Sequence, residues 1–400
     1  MGLIPPRDAA GRPDGRRIAL AHDWLVGLRG GERVLDRLAT SFGPTDLYVL
    51  VDDGRPLTPA ISACRVVTSP LQRLPGAAGR LRRYYLPLMP WAVGRLRVAP
   101  CDLLVSTSSA VMKSIRPPPG VPHLCYCFSP ARYLWDQTDD YAIGRGGRAR
   151  GTALRALQQR FRAWDRATAA TVTRFATSSE HVRERIERCY GRDATVVPPP
   201  VDTAWFTPDE RVPREDFFLV VSALEPYKRV DLAIEAANQA RVPLRIVGTG
   251  SLAASLAART GPTVQLLGRV SEDRLRDLYR RARAVLFPQV EDFGLVAVEA
   301  QACGCPVIAL ASGGAVETLT PASGLLVRDQ SVPTWVAAIA SLRDRSFAAT
   351  ACRASAERFG AAIFDARMAA LADELLASSA EAAQRIGRGA QRLEQSKSSQ

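Results

Sequence analysis

Four hundred residues are too many for one ordinary core, so two domains are expected. With 47% apolar and 23% charged residues the chain has the composition of a soluble globular protein, and with no run of twenty apolar residues no membrane-spanning helix is expected. The net charge of +13, carried mostly by arginine, points to an anionic partner: nucleic acid, anionic lipid or a phosphorylated substrate.

The first sixteen residues lack the apolar stretch of a signal peptide and read as a disordered leader, which places the chain in the cytoplasm. RRIALAHDW (16–24) reads as a strand running into GLRGGERVLDRLA (27–39), a glycine-rich turn and a helix. GRLRRYYLPLMPWAVGRLR (79–97) is basic and aromatic and suits a surface facing lipid, whereas CDLLVSTSS (101–109) and VPHLCYCFS (121–129) are buried-strand candidates. Between Arg145 and Arg166 there are seven arginines and one acid, with Leu154, Leu157, Phe161 and Trp164 at helical spacing. Two readings stand for that helix: one leaning on a membrane surface, and one packed on the core with a solvated basic face. ATSSEHVRERIERCY (176–190) reads as a strand end, a serine cap and a helix. VVPPPVD (196–202) is a linker, because three prolines continue neither a helix nor an inner strand.

Beyond the linker the alternation restarts. Strands are expected at 216–224, 244–250, 264–270, 284–288 and 306–310, and helices at 231–240, 272–282 and 295–304. Strand-helix alternation on both sides of a linker predicts an α/β chain of two doubly wound, Rossmann-like domains facing a central cleft. In such sheets ligands lie beyond the carboxyl ends of the strands. The domains are drawn at 17–200 and 201–350, with C-terminal helices over 351–385 and a disordered polar tail over 386–400. The eight cysteines, two Cys-x-Cys pairs among them (Cys125/Cys127 and Cys303/Cys305), read as reduced core thiols, since zinc wants wider spacing and only three histidines are present.

EDFGLVAVE (291–299) is the stretch most pointed in its chemistry. Its Asp-Phe-Gly does not make a kinase, because no His-Arg-Asp accompanies it; no Gly-Lys-Ser/Thr forms a P-loop. No Asp-x-Asp exists to hold a metal-bound diphosphate, so no metal is expected. A pair of hydrolytic carboxylates is not excluded by spacing alone. A ligand-gripping turn explains more residues. Glu291 follows a strand, Phe293, Gly294 and Leu295 open a helix whose first N–H groups are unpaired, and Glu299 lies further along it, where a carboxylate could accept two hydrogen bonds from a ribose diol.

The run FPQVEDFGLVAVEAQACGCPVIALASGGAVETL (287–319) resembles the sugar-nucleotide site of the GT-B glycosyltransferases of the large retaining family four, with Glu291 and Glu299 as its Glu-x7-Glu pair. SALEPYKRVDLAIEA (222–236) resembles the phosphate-binding stretch, with Lys228 in the lysine position, and GLRGGE resembles the N-terminal glycine loop. LPLMP, CDLLVSTSSAVMKS and SPARYLWD look most like bacterial mannosyltransferases of O-antigen and exopolysaccharide synthesis. The resemblance implies a metal-independent, retaining hexosyltransferase with no cofactor beyond its nucleotide diphosphate sugar, GDP-mannose first and UDP-sugars next. The implied acceptor is a glycan or lipid-linked glycan, and the implied setting the inner face of the cell membrane, with no nucleic acid bound.

Residue by residue, the resemblance gives Lys228 the leaving diphosphate, Glu291 and the N–H groups of Phe293, Gly294 and Leu295 the transferred sugar, and Glu299 the ribose. The backbone near Arg269 and Val270 would face the base, and Gly30 and Gly31 would let the first helix approach the phosphates. Arg132 and Asp136 would touch acceptor or sugar. Three positions depart from the family pattern: Ala223 stands where an arginine is usual, with Arg229 or Arg269 as substitutes, and Phe128 and Ser109 stand where relatives carry histidine. These departures keep a rival open, a catalytically inactive GT-B sugar-nucleotide-binding or scaffold protein; an epimerase or phosphorylase on the same fold is a further one.

Overall fold

Short β-branched and aliphatic runs, separated by turns and helices, build two parallel sheets in a computed structural model that describes residues 15–43, 45–135, 148–342 and 344–397. The chain forms two compact units: Met1–Ser178 with Val182–Val197 and Asp365–Gln400, and Ser179–His181 with Pro198–Phe364. The boundary at Val197 and Pro198 falls inside the proline run. Most of the leader, residues 1–14, lies outside the described residues; Arg16 pairs with Asp373 at 2.9 Å.

The first unit holds seven strands: β1 (Ile18–Leu25), β2 (Asp46–Asp52), β3 (Arg65–Thr68), β4 (Leu103–Ser108), β5 (His123–Cys127), β6 (Arg174–Thr177) and β7 (Ala194–Val196). Their order is β3-β2-β1-β4-β5-β6-β7, all parallel. The second unit holds six: β8 (Phe218–Val221), β9 (Leu244–Val247), β10 (Val264–Gly268), β11 (Ala284–Phe287), β12 (Val307–Leu310) and β13 (Gly324–Val327). Their order, β10-β9-β8-β11-β12-β13, is the doubly wound 3-2-1-4-5-6 arrangement, again all parallel. Each sheet therefore reverses its direction of growth once, between β1 and β4 in one unit and between β8 and β11 in the other.

The basic helix Arg148–Ala169 is tied to the core of the first unit by a buried ion pair. Lys113 Nζ lies 2.8 Å from the Asp165 carboxylate, donates to the Asp165 carbonyl at 2.7 Å and sits 4.9 Å from the centre of the Tyr190 ring. Trp135 Nε1 donates to the other Asp165 oxygen at 2.9 Å. Removing one partner of such a pair costs about 3–5 kcal/mol, because the other charge stays buried. Arg162 and Arg166 donate to the carbonyls of Leu134 and Cys189. The described half of this helix thus packs one face on the core and leaves Gln159, Arg160 and Arg166 exposed.

All eight cysteines are free thiols and all but Cys101 are buried; burial pushes Cys125 and Cys303 up to about 12. Helix Ala361–Lys397 runs through residues 386–397, which the sequence reads as a polar tail, despite Gly387 and Gly389; no proline interrupts it.

His123 is completely buried, with Nε2 2.7 Å from Ser106 Oγ. Burial, and then the Lys113 ammonium, push the imidazole down from 6.5 to about 3. The unfolded imidazole takes its proton near pH 6.5 and the folded one only near pH 3, so this residue's contribution is complete above 6.5 and is lost as pH falls. Stability should therefore fall progressively as pH drops through that window. Denaturant unfolding across the acid range should show a shallower pH slope for His123→Gln than for the wild type; equal slopes would remove this residue from the acid response.

Candidate functional site

The candidate site of the second unit lies where its sheet reverses. Lys228 ends the 3₁₀ turn Pro226–Lys228 after β8, and Glu291 follows β11, the strand on the other side of the reversal. The two side chains meet: Lys228 Nζ donates to the Glu291 carboxylate. Both are largely but not wholly covered, at 14% and 21% side-chain exposure, so a ligand can reach either charge.

Glu291 is held from behind by a segment that no sequence motif singles out. After β12 the chain passes through Gly313 and Gly314, and Gly314 N–H donates to the Glu291 carbonyl at 2.8 Å. A Cβ on Gly313 would lie 2.4 Å from the Glu291 carbonyl oxygen, and one on Gly314 2.4 Å from the Phe293 Cα. Only glycine permits backbones to pack this closely. The paired glycines in ASGGAVE were the available signal.

Gly294 has φ +93, and a Cβ there would meet the Phe287 ring at 3.2 Å. Its left-handed backbone turns the chain into helix Leu295–Ala302. Phe293 is buried and packs edge-on against Phe359, so its side chain belongs to the core. Leu295 is half-buried against the same core. What this turn offers a ligand is its backbone: the first N–H groups of a helix lack intrahelical acceptors and carry the positive end of its dipole.

Glu299 lies buried further along that helix and accepts from the Tyr279 hydroxyl at 3.1 Å. Burial and then the Glu299 charge raise the Tyr279 phenol well above its usual range, so it stays a neutral donor. Tyr279, on helix Glu272–Arg281, was not visible as a site residue because its partner is 20 positions away. Arg269 is exposed just beyond β10, Val270 packs on the core, and the Gly268 carbonyl before them accepts from Gly248 N–H at 2.8 Å. Glu225 orders the loop after β9 by accepting from Ser251 N–H at 3.0 Å and its hydroxyl at 2.6 Å.

Ala223 is exposed after β8. The suggested substitute Arg229 is engaged elsewhere: its guanidinium lies 3.3 Å from Asp231 and donates to Gln330 at 3.1 Å. Gln330 in turn donates to the Pro288 carbonyl at 2.8 Å. Arg229 therefore braces the loop after β11.

The first unit has its own polar cluster at the β1/β4 reversal. Gly30 and Gly31 open helix Gly30–Phe42, and a Cβ on Gly31 would touch the Phe128 ring at 3.4 Å and His22 at 3.5 Å. His22 Nδ1 is 2.6 Å from Thr107 Oγ1, and its Nε2 is 3.9 Å from Glu32. Burial raises the Glu32 carboxyl, but hydrogen bonding and charge from His22 outweigh it and hold the group below its usual value. Asp23 accepts from the N–H groups of Ser109, Ala110, Val111 and Met112 at 2.6 to 3.1 Å, and the Ser109 hydroxyl adds a bond at 3.2 Å. The polar pair His-Asp inside the apolar run ALAHDWL was the signal that could have singled out this cluster. Arg132 opens the short helix Arg132–Trp135 and is half-buried; Asp136 lies outside the described residues.

Comparison with known proteins agrees with this architecture. Residues 28–205 match the family described as Glycosyltransferase Family 4, and residues 202–359 that described as Glycosyl transferases group 1. A D-inositol 3-phosphate glycosyltransferase of Rhodococcus opacus is 32% identical over 216 residues, 46% of this chain and 48% of that protein. One of Mycolicibacterium smegmatis is 36% identical over 186 residues, 40% of this chain and 42% of that one. The chain thus matches about half the length of these relatives or less. Sucrose-phosphate synthase from Thermosynechococcus elongatus superposes with a TM-score of 0.68 at 20% identity, covering 91% of this chain and all of that one. Anabaena HepE in complex with UDP superposes at 0.63 and 16% identity, covering 90% and 100%.

The glycine contact yields a direct check. Gly314→Ala should displace the Glu291–Phe293 backbone, lower Tm by several degrees and weaken nucleotide binding measured by calorimetry; an unchanged Tm and affinity would remove Gly314 as a buttress. With two Rossmann-like parallel sheets matched over most of its length, the chain carries a glycosyltransferase family 4 domain followed by a glycosyl transferases group 1 domain, on a GT-B fold.

Proposed function

We propose that the chain is a retaining hexosyltransferase that moves a hexose, mannose first, from a nucleoside diphosphate sugar to a hydroxyl of a glycan or lipid-linked glycan in cell-surface polysaccharide synthesis. The observation that carries this reading is the Lys228–Glu291 pair at the sheet reversal, set against the opening turn of helix Leu295–Ala302. A donor would insert between the two charges. The ammonium turns to the diphosphate, the carboxylate accepts from hydroxyls of the sugar, and the N–H groups of Phe293, Gly294 and Leu295 lie beside it. Glu299, oriented by Tyr279, takes the ribose diol. The backbone at Arg269 and Val270 faces the base.

Breaking the anomeric C–O bond sends its electron pair to the departing phosphate, where Lys228 and the helix N-terminus stabilise the new charge. The acceptor oxygen bonds to the anomeric carbon from the same face and gives its proton to the leaving phosphate oxygen, so configuration is kept. Asp23 does not compete as a nucleophile, because backbone N–H groups already occupy its carboxylate.

Lys228→Ala should lower turnover by about 10²–10³, the scale for losing one transition-state charge partner. Donor consumption by the purified variant at the wild-type rate would sink the role given to Lys228. A thermal-shift panel of GDP, UDP, ADP and their sugars identifies the base, since a ligand that binds only the folded state raises Tm by mass action. GDP-mannose is expected to give the largest shift. Product analysis with a glycan, a lipid-linked glycan and D-inositol 3-phosphate then tests the acceptor; binding without transfer or hydrolysis would favour the scaffold reading.

A further inference from the structure

The edge of the second unit opposite the Lys228–Glu291 pair carries a cavity that the transferase reading does not use. Arg283 stands directly before β11 and Pro306 directly before β12, at the amino ends of these strands. Lys228 and Glu291 follow the carboxyl ends of β8 and β11. At the amino ends the chain forms a cavity of about 430 Å³, within the ~300–1,000 Å³ typical of small-molecule sites. Part of its wall is apolar, made by Pro306, Leu342 and Phe347. Leu342 is buried and Phe347 packs against the core of the unit, so this wall is fixed.

Three arginines, Arg214, Arg283 and Arg345, line the cavity against one aspartate, Asp344. Two of them are held in place. Arg214 donates to the Ala282 carbonyl at 2.8 Å and to the Gly304 carbonyl. Arg283 donates to the Leu342 carbonyl at 2.7 Å and to Asp216 at 2.6 Å. A guanidinium has five N–H donors, so each of these two keeps three. Arg345 is exposed, with its guanidinium 5.8 Å from the centre of the Phe347 ring. Among the described residues neither Arg214 nor Arg345 has a carboxylate within ion-pair distance. Carbonyls orient the Arg214 charge without neutralising it, which leaves that charge to an anion.

We propose that this cavity binds a small organic phosphate monoester. Its phosphate lies among the three guanidinium groups, and its uncharged body lies on Leu342 and Phe347. Phosphate fits better than carboxylate. One guanidinium fork takes both oxygens of a carboxylate, whereas a phosphate monoester has three terminal oxygens to share among three forks. The apolar wall favours an ester over the bare anion, since it offers contact to a body that inorganic phosphate lacks. The four residues of β11, at about 3.3 Å each, separate the cavity from Glu291, so the ligand leaves the Lys228–Glu291 pair free. The inference does not depend on the transferase reading.

The test is titration calorimetry of the full chain with mannose 1-phosphate, with mannose and with inorganic phosphate, each repeated in excess GDP and in excess UDP. Mannose 1-phosphate should bind, mannose should give no heat, and inorganic phosphate should bind more weakly. Neither nucleotide should displace the ester. Arg345→Glu should keep the circular dichroism of the wild type and lose about tenfold or more of the affinity, the scale for one charge-assisted hydrogen bond. Arg214→Lys keeps the charge but loses the planar fork, and should weaken binding of the ester several-fold. A wild type that takes no mannose 1-phosphate at millimolar concentration, or an Arg345→Glu variant that binds it equally well, overturns the proposal. Displacement by GDP or UDP would place the phosphate at the Lys228 end of the sheet and overturn it as well. Inorganic phosphate binding as tightly as the ester would assign the cavity to the bare anion and remove the organic ligand.

Discussion

One ammonium facing one carboxylate organises the second unit's functional edge. Lys228 and Glu291 come from loops on either side of the strand-order reversal, 63 residues apart in sequence. A pair that remains partly open to solvent contributes on the order of 1 kcal/mol or less to stability. Folding therefore depends little on it. The surrounding parts keep both charges in place meanwhile. Gly313 and Gly314 press on the Glu291 backbone, Gly294 turns it into a helix, and Gln330 links Arg229 to the end of β11.

The two units use equivalent positions in opposite ways. At the reversal of the first sheet, Asp23 is sealed by backbone donors, and His22 is held between Thr107 and Glu32. A carboxylate with this many N–H partners has its charge already satisfied and is a structural group. Phe128, edge-on to Tyr126 and against Gly31, lines the same region with an aromatic ring. Charge is thus left open to a ligand in the second unit and closed off in the first.

The architecture was readable because it depends on local patterns. Strand-helix alternation, the proline run and the spacing of Glu291 and Glu299 are all written within a few dozen residues. β2, β3, β7 and β13 were not named: β3, β7 and β13 are only three or four residues long, whereas β2 is a seven-residue run between Gly43-Pro44 and Asp53-Gly54 that the pattern did offer. The contacts that complete the site are harder to read, because each joins distant segments without a periodic signature. Tyr279 reaches Glu299, Gly314 reaches Glu291, and Arg229 is captured by a glutamine 101 positions away. The last of these gives Arg229, offered from sequence as a substitute for the missing arginine at Ala223, a partner within the second unit. Ser109, a departure from the resemblance, proved to be a donor to Asp23.

The first unit is discontinuous in the chain. Met368, Leu371, Ala372 and Leu375, at helical spacing, are buried, and Asp365, Asp373 and Glu374 pair with Arg37, Arg16 and Arg174. A nascent chain leaves the ribosome from its amino end, so the unit begun first is the one completed last, after the entire second unit has been made. Until residues 365–375 emerge, its apolar contact surface for them stays uncovered, and the unfinished unit has to survive in that state.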